Sequence, residues 1–382
     1  MEPVVLVPQD TTDLDYTAHA ATSGLGELPA TRHRGLMVHS GLAVTPQRVP
    51  LGLIHQEVWA RPVEESGKSA DRKNRPLREK ESRKWLTALK TTKRWARTMP
   101  FARVVSVGDR EADVFDLVRF GVRIRQDLLI RVTQNRCVEA PERWLFQQLR
   151  AQLVSGYRTV VTPRRPKQPS REAVLSIRST PVRLKPPKDR KRQGTIVTVW
   201  AVLATEEHPP EGVEPIVWAL VTTVPVESLE DAQERIDWYT CRWIIEEYHR
   251  VLKTGLRIED RQLQTAERLK RSLTIDAIVA WRILALVKES RRSASAACTG
   301  WLTAQEWQTL WQVTQPNVPL PTEAPSLRGM VRAIAQLGGF AGRKGDGEPG
   351  PETVWRGWQR LQDFLLAFQA FSASSPPPVT SG

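Results

Sequence analysis

Short β-branched and apolar runs open the chain, and long helical periodicities close it. Val4-Val5-Leu6-Val7 predicts a strand over 3–8 that ends at Gln9-Asp10-Thr11-Thr12. Two more apolar runs, 35–44 and 51–60, have Gly and Pro between them and predict an antiparallel meander. Residues 62–80 are polar and basic and read as an exposed loop. Trp85, Leu86, Leu89 and Trp95 recur at helical spacing within 81–98. A buried strand over 103–107 runs into Gly108-Asp109-Arg110-Glu111-Ala112-Asp113, and a helix continues through Leu117 and Val118. A further strand over 128–132 ends near Arg131. The order is three strands, helix, strand, helix, strand. Asp10 and Asp109 then fall at carboxyl ends of strands, where α/β sheets place their chemistry.

Residues 133–228 interrupt this rhythm. Beyond a helical stretch over 142–152, they are rich in Val, Thr and Pro. Strands are expected at 159–162, 173–178, 195–203 and 217–222, forming an inserted β-subdomain. Two basic, Pro-containing loops, 163–171 and 185–192, lie between them and suit phosphate tracking. Helical patterns follow at 265–290, 301–313, 327–337 and 354–371. The glycines of 338–350 lack the strand–GxGxxG–helix setting of a nucleotide loop. Residues 374–382 are Ser/Pro-rich and expected to be disordered. The expected architecture is α/β. A first core segment (1–132), the insertion (133–228), a second core segment (229–290), a helical region (291–373) and the tail (374–382) succeed one another.

The densest chemistry lies in 236–261, where nothing breaks a helix before Gly255. At about 100° per residue, Tyr239, Arg242, Glu246 and Lys253 sit at roughly 0°, 300°, 340° and 320°. One face thus carries a phenol, a guanidinium, a carboxylate and an ammonium. Trp238, Ile245 and Leu252 mark the core face. The bland reading is a set of ordinary i, i+4 surface pairs. The other reading is a carboxylate that holds a divalent cation while its neighbours grip phosphates.

Composition bears on that choice. The formal charge is +14 and the sequence pI about 10.1, which favours a polyanionic partner, nucleic acid first. Tryptophan is abundant, at 14 residues, which suits base stacking as well as core filling. Three cysteines without CxxC spacing argue against a disulfide framework or zinc site and fit a reducing cytoplasm. No signal peptide is visible, and the longest apolar run, 277–287, is too short for a bilayer and broken by Arg282. The six histidines form no HExxH motif, and no spacing supports a Ser or Cys nucleophile with a His base. A sugar hydrolase built on two carboxylates would leave the charge and the basic loops unexplained. Three acids, Asp10, Asp109 and Glu246, suit a two-metal site for phosphoryl transfer.

These stretches resemble the DDE transposases of bacterial insertion sequences. The closest resemblance is to the hairpin-forming, cut-and-paste class marked by Y-x2-R-x3-E-x6-K, here Tyr239, Arg242, Glu246 and Lys253. The family's D-T-T stretch is matched by Asp10-Thr11-Thr12. Its D-R-E-A-D is matched by 109–113, and its V-E-S-L by Val226-Glu227-Ser228-Leu229. The resemblance spans about residues 4–290. It implies a ribonuclease H-like core, a mixed sheet with helices, and the strand order above agrees.

The resemblance also implies roles. Asp10, Asp109 and Glu246 would be catalytic and hold Mg²⁺, with Mn²⁺ able to substitute. Tyr239, Arg242 and Lys253 would contact phosphates. Arg131 matches an arginine that touches DNA near the cleavage site. Trp218, 21 residues before Tyr239, matches the tryptophan that stacks on a flipped base. Trp243 matches a second tryptophan linked to hairpin formation. The implied partners are double-stranded transposon-end and target DNA, with a homodimer formed through the helical region and no membrane. The implied location is the bacterial cytoplasm, with the nucleoid.

Family members carry a helical DNA-binding domain ahead of the D-T-T strand, and only nine residues precede Asp10 here. The expectation is therefore a chain lacking that domain. The alternative to an active transposase is a truncated, non-mobilising remnant that binds DNA or inhibits a partner.

Overall fold

The computed structural model describes residues 3–29, 33–61, 81–162, 170–187 and 195–373. The expected loop at 62–80, most of the basic loops at 163–171 and 185–192, and the expected tail at 374–382 lie outside the described residues. The chain forms two compact units: Met1–Asp15 with Leu25–Glu246, and Tyr16–Gly24 with Glu247–Gly382.

The first unit is built on one ten-stranded sheet. Its strands are β1 (Val4–Asp15), β2 (Gly26–Glu27), β3 (Arg34–Val44), β4 (Pro50–Trp59), β5 (Arg103–Gly108), β6 (Asp127–Val132), β7 (Gly156–Thr162), β8 (Arg171–Leu184), β9 (Val197–Glu206) and β10 (Val217–Thr222). The order is β2-β3-β1-β5-β6-β10-β9-β8-β7, with β4 also paired to β3. β1, β5 and β6 run parallel at the centre, and the other pairs are antiparallel. The Val5-Leu6-Val7 run is fully buried, as a parallel strand covered on both faces requires. The strands read from 133–228 join this same sheet, because β10 pairs with β6 on one side and β9 on the other.

Helices α1 (Arg83–Ala96), α2 (Phe115–Ile124) and α3 (Leu145–Arg150) bury Trp85, Leu89, Leu117, Val118, Leu145 and Leu149 in one core with the inward residues of β6, β8, β9 and β10. α4 (Leu229–Thr240) starts at a capping box between Ser228 and Asp231, which satisfies two otherwise unpaired backbone donors.

The structure departs from the sequence reading in two places that matter. First, β1 does not stop at residue 8. It runs on to Asp15 along β3 after its parallel pairing with β5 ends at Pro8↔Val107. Asp10 is therefore mid-strand, just past the point where β5 turns away. Second, 236–253 is not one helix. α4 ends at Thr240, and α5 (Trp243–Arg250) begins after a turn at 241–242. There Arg242 N–H donates to Tyr239 O (3.0 Å) and Ile244 N–H to Cys241 O (3.1 Å), so the ladder tightens to i→i−3 bonds. A π-helical turn, Val251–Gly255, then loosens it. Uniform angular spacing fails across both irregularities.

In the second unit, α6 (Ala266–Arg292) buries Leu273, Ala277, Ala280, Leu284 and Val287 along one side. With α7 (Ala304–Thr314), α8 (Leu327–Leu337) and α9 (Pro351–Ala373) it encloses a core that includes Leu310, Ile334, Val354 and Leu361. α8 and α9 touch backbone to backbone at Gly357, where an added Cβ would lie 1.7 Å from Ile334 O. The 16–24 segment is tied down by Tyr16 OH to Ile258 O (3.1 Å) and Thr22 Oγ1 to Leu263 O (2.7 Å).

Candidate active site

Asp10 is placed by β1 and accepts from Thr11 N–H through Oδ1 (2.8 Å). Asp109 follows β5 directly, where the parallel strand ends. Its Oδ1 accepts from Glu111 N–H (2.8 Å) and caps the short 3-10 turn Arg110–Ala112. Glu246 sits on the first turn of α5, and Arg242 just before it. Arg242 Nη2 donates to Glu246 Oε1 at 2.6 Å, and its Nη1 lies 3.9 Å from Asp10 Oδ2. Arg242 is buried, and its Nε has no hydrogen-bond partner.

The electrostatics follow from this geometry. Burial pushes the Asp10 carboxyl from the usual 3.8 up to about 7; Arg242 and Thr11 N–H oppose the rise, and the charges of Asp109 and Glu246 add to it. Burial disfavours the Arg242 charge, but Tyr239, Glu246 and Asp10 outweigh it and hold its pKa above the usual arginine value. One buried cation thus serves Asp10 and Glu246, while Asp109 enters through its like charge on Asp10.

The aromatic residues adjoin this centre. The Tyr239 ring is buried and meets Trp218 edge-on, with centroids 5.5 Å apart. Trp218 is half-buried on β10. Arg131 on β6 donates through Nη2 to Val217 O (3.1 Å), the residue before Trp218. Arg242 stacks over Trp243 at 5.1 Å. Lys253 belongs to the second unit, where its Nζ pairs with Glu259 at 3.2 Å.

Among the described residues, no three His, Cys, Asp or Glu side chains are arranged as a ready metal cage. Glu246 faces Arg242 instead. The donor set still fits a hard divalent cation in kind, because it is all carboxylate. Asp10 is held partly protonated near neutrality by burial and like charge, the condition that a bound cation relieves.

Several supporting residues escaped the sequence reading. Asp113, the last acid of D-R-E-A-D, is structural. Its Oδ2 accepts from Thr133 and Gln134 N–H (both 2.8 Å), and its Oδ1 pairs with Arg136. Glu111 accepts from Thr11 Oγ1 (3.3 Å) and from the buried Lys84 Nζ (2.6 Å), linking the strand segments that carry Asp10 and Asp109. Thr11 Oγ1 also meets His39 Nδ1 at 3.0 Å. Arg48, in the β3–β4 turn, donates to Thr240 Oγ1 (2.9 Å) at the end of α4. The presence of Glu111 within the motif was a signal; nothing in the sequence marked Arg48.

A mixed α/β fold with a carboxylate-centred site, its acids drawn from neighbouring strands and one helix, defines the class. Two family models match this chain: "Transposase DDE domain" over residues 56–282 and "Transposase Tn5 dimerisation domain" over residues 278–375. The first spans more than half of the chain and contains Asp109 and Glu246. The chain belongs to the transposase DDE-domain family.

Proposed function

We propose that this chain is a DNA transposase of the cut-and-paste, hairpin-forming kind, with Asp10, Asp109 and Glu246 as the acids that hold Mg²⁺. The observation that supports the reading is that Arg242 lies between Asp10 and Glu246, and that the charges of Asp109 and Glu246 both act on the buried Asp10. When bound, the cation supplies water activation and stabilisation of the leaving oxygen. The chain's own residues do the rest. Arg242 offsets the charge of the scissile phosphate, and the Tyr239 phenol can donate a hydrogen bond to it. Trp218 offers an aromatic face to a base leaving the stack, and Arg131 steadies the backbone beside it. Trp243, under the Arg242 guanidinium, supports hairpin closure. Lys253 is assigned to phosphate contact from its place in the signature.

Duplex DNA is the proposed partner, supported by the +14 charge. A homodimer is proposed through the helices of 278–375, supported by the dimerisation-domain match. Among the described residues no helix is long and apolar enough to cross a membrane.

The test is Mg²⁺-dependent nicking of a labelled transposon-end duplex by purified Asp109→Ala and wild-type protein. Removal of Asp109 should abolish nicking while leaving duplex affinity nearly unchanged. Nicking by the variant at the wild-type rate would remove Asp109 from the site.

A further inference from the structure

From Ser82 to Gly108 the sequence has seven lysines and arginines and no acid. In the fold, these cations fall into two groups. Arg83, Lys84 and Arg103 have carboxylate partners: Glu57, Glu111 and Asp127. Lys90, Lys93, Arg94 and Arg97 have none among the described residues. On α1 and its C-cap they follow i, i+3, i+4, i+7 spacing, so they form one stripe about 10 Å long.

α2 lies beside α1 and extends the stripe. Its Arg123, and Arg125 at its C-cap, also lack carboxylate partners among the described residues. Phe120 joins the two helices, with Lys90 Nζ 5.6 Å and the Arg123 guanidinium 5.1 Å from its ring centroid. Lys93 Nζ donates to Arg125 O at 2.6 Å. Arg125 itself adopts φ 52°, ψ 52°, a left-handed conformation that helix ends normally give to glycine. An arginine there puts a charge at the rim of the patch at a conformational cost.

Helix dipoles favour cations in a last turn, which accounts for Lys93, Arg94 and Arg123 individually. They do not account for Lys90, a turn earlier, or for Arg97 and Arg125 beyond the helix ends. Six cations without a carboxylate partner among the described residues sit on adjoining elements and repel one another, and a polyanion relieves that repulsion. The patch also lies at the opposite end of β5 from Asp109. Arg97 and Arg125 shortly precede the starts of β5 and β6, and a six-residue strand spans roughly 20 Å.

We propose that the α1–α2 face, made of Lys90, Lys93, Arg94, Arg97, Arg123 and Arg125, binds the phosphate backbone of duplex DNA at a site separate from the carboxylate centre. The occupant is a length of duplex other than the one being cut.

The experiment is fluorescence anisotropy of the full chain with a blunt synthetic duplex, in EDTA so that no cleavage occurs. Salt is varied between about 50 and 200 mM. The triple variant Lys90→Gln, Arg94→Gln, Arg123→Gln should lower affinity and flatten the log–log salt slope by about 2–3, since each neutralised phosphate contributes about 0.9. A control that removes the same charge from paired cations, Lys270→Gln, Arg292→Gln and Arg356→Gln, should change the slope far less. Arg125→Gly separates binding from folding: it should bind duplex several-fold more weakly while melting at the same or a higher temperature. An unchanged slope in the triple variant would overturn the proposal. So would an equal change in the control, which would report net charge alone. Weakened binding of polyglutamate with intact DNA binding would overturn it in favour of an acidic protein partner.

Discussion

Arg242 donates to Glu246 across 2.6 Å while its other terminal nitrogen lies 3.9 Å from Asp10. A strand residue near the start of the chain and a helix residue 236 positions later therefore share one buried guanidinium. The tight turn at 241–242 makes this possible, because it sets where α5 begins relative to α4.

The raised pKa of Asp10 gives a pH signature in metal-free protein. Its folded pKa, about 7, exceeds the usual 3.8, so protonation is favoured by folding. The stability this confers is complete below about pH 4 and is lost as pH rises through about 7. Asp10→Asn, which cannot ionise, should be more stable than wild type at pH 8, by up to about 4 kcal/mol. The advantage should fade towards pH 4. Urea unfolding in EDTA across this range measures it, and equal stability at pH 8 would contradict the burial of the charge.

Asp113→Ala should be costly for a different reason. Asp113 is buried, accepts from two backbone N–H groups, and neutralises Arg136, whose side chain is 9 % exposed. Its removal strands that cation and should cost about 3–5 kcal/mol. The drop should be visible in chemical denaturation, and the cleavage rate per folded molecule should change little. A loss below about 1 kcal/mol would mean that Arg136 finds water instead.

Arg48 tests the junction between α4 and α5. Its backbone is left-handed, with φ 66°, and its side chain holds Thr240, while Cys241 Sγ–H donates to Pro46 O at 3.4 Å in the same turn. Arg48→Gly loses a bond worth about 0.5–1.5 kcal/mol. It also relieves a left-handed residue by about 1–2 kcal/mol. Stability should stay near wild type, while nicking slows several-fold as Arg242 and Glu246 lose their fixed approach. Unchanged nicking would show that the turn does not position them.

Trp218→Ala should separate two chemical steps. A stacked base recovers about 1–3 kcal/mol, so hairpin closure should slow by one or two powers of ten. The first nick, which needs no flipped base, should keep its rate. A gel time course resolves nicked from hairpin product. Equal slowing of both steps, with a lower melting temperature, would instead assign Trp218 to packing against Tyr239.

Local pattern determined much of this protein. The apolar runs marked most of the segments that become strands, and the helical spacing of Trp85, Leu86, Leu89 and Trp95 marked α1, because those signals act over a few residues. The spacing of Tyr239, Arg242, Glu246 and Lys253 was legible for the same reason. Tertiary structure decided the rest. β1 continues past Asp10 because β3 goes on pairing with it, a partner that the local sequence does not show. The strands of 156–222 extend the central sheet because β10 finds β6 from far along the chain, the nearest pair, Val132↔Ala219, being 87 positions apart. The 239–253 stripe is broken at 241–242 and loosened at 251–255, irregularities that helix propensity does not record. Asp10 is pushed up to about 7 only because folding buries it beside Asp109 and Glu246, and burial and charge proximity are properties of the assembled unit rather than of any stretch of sequence.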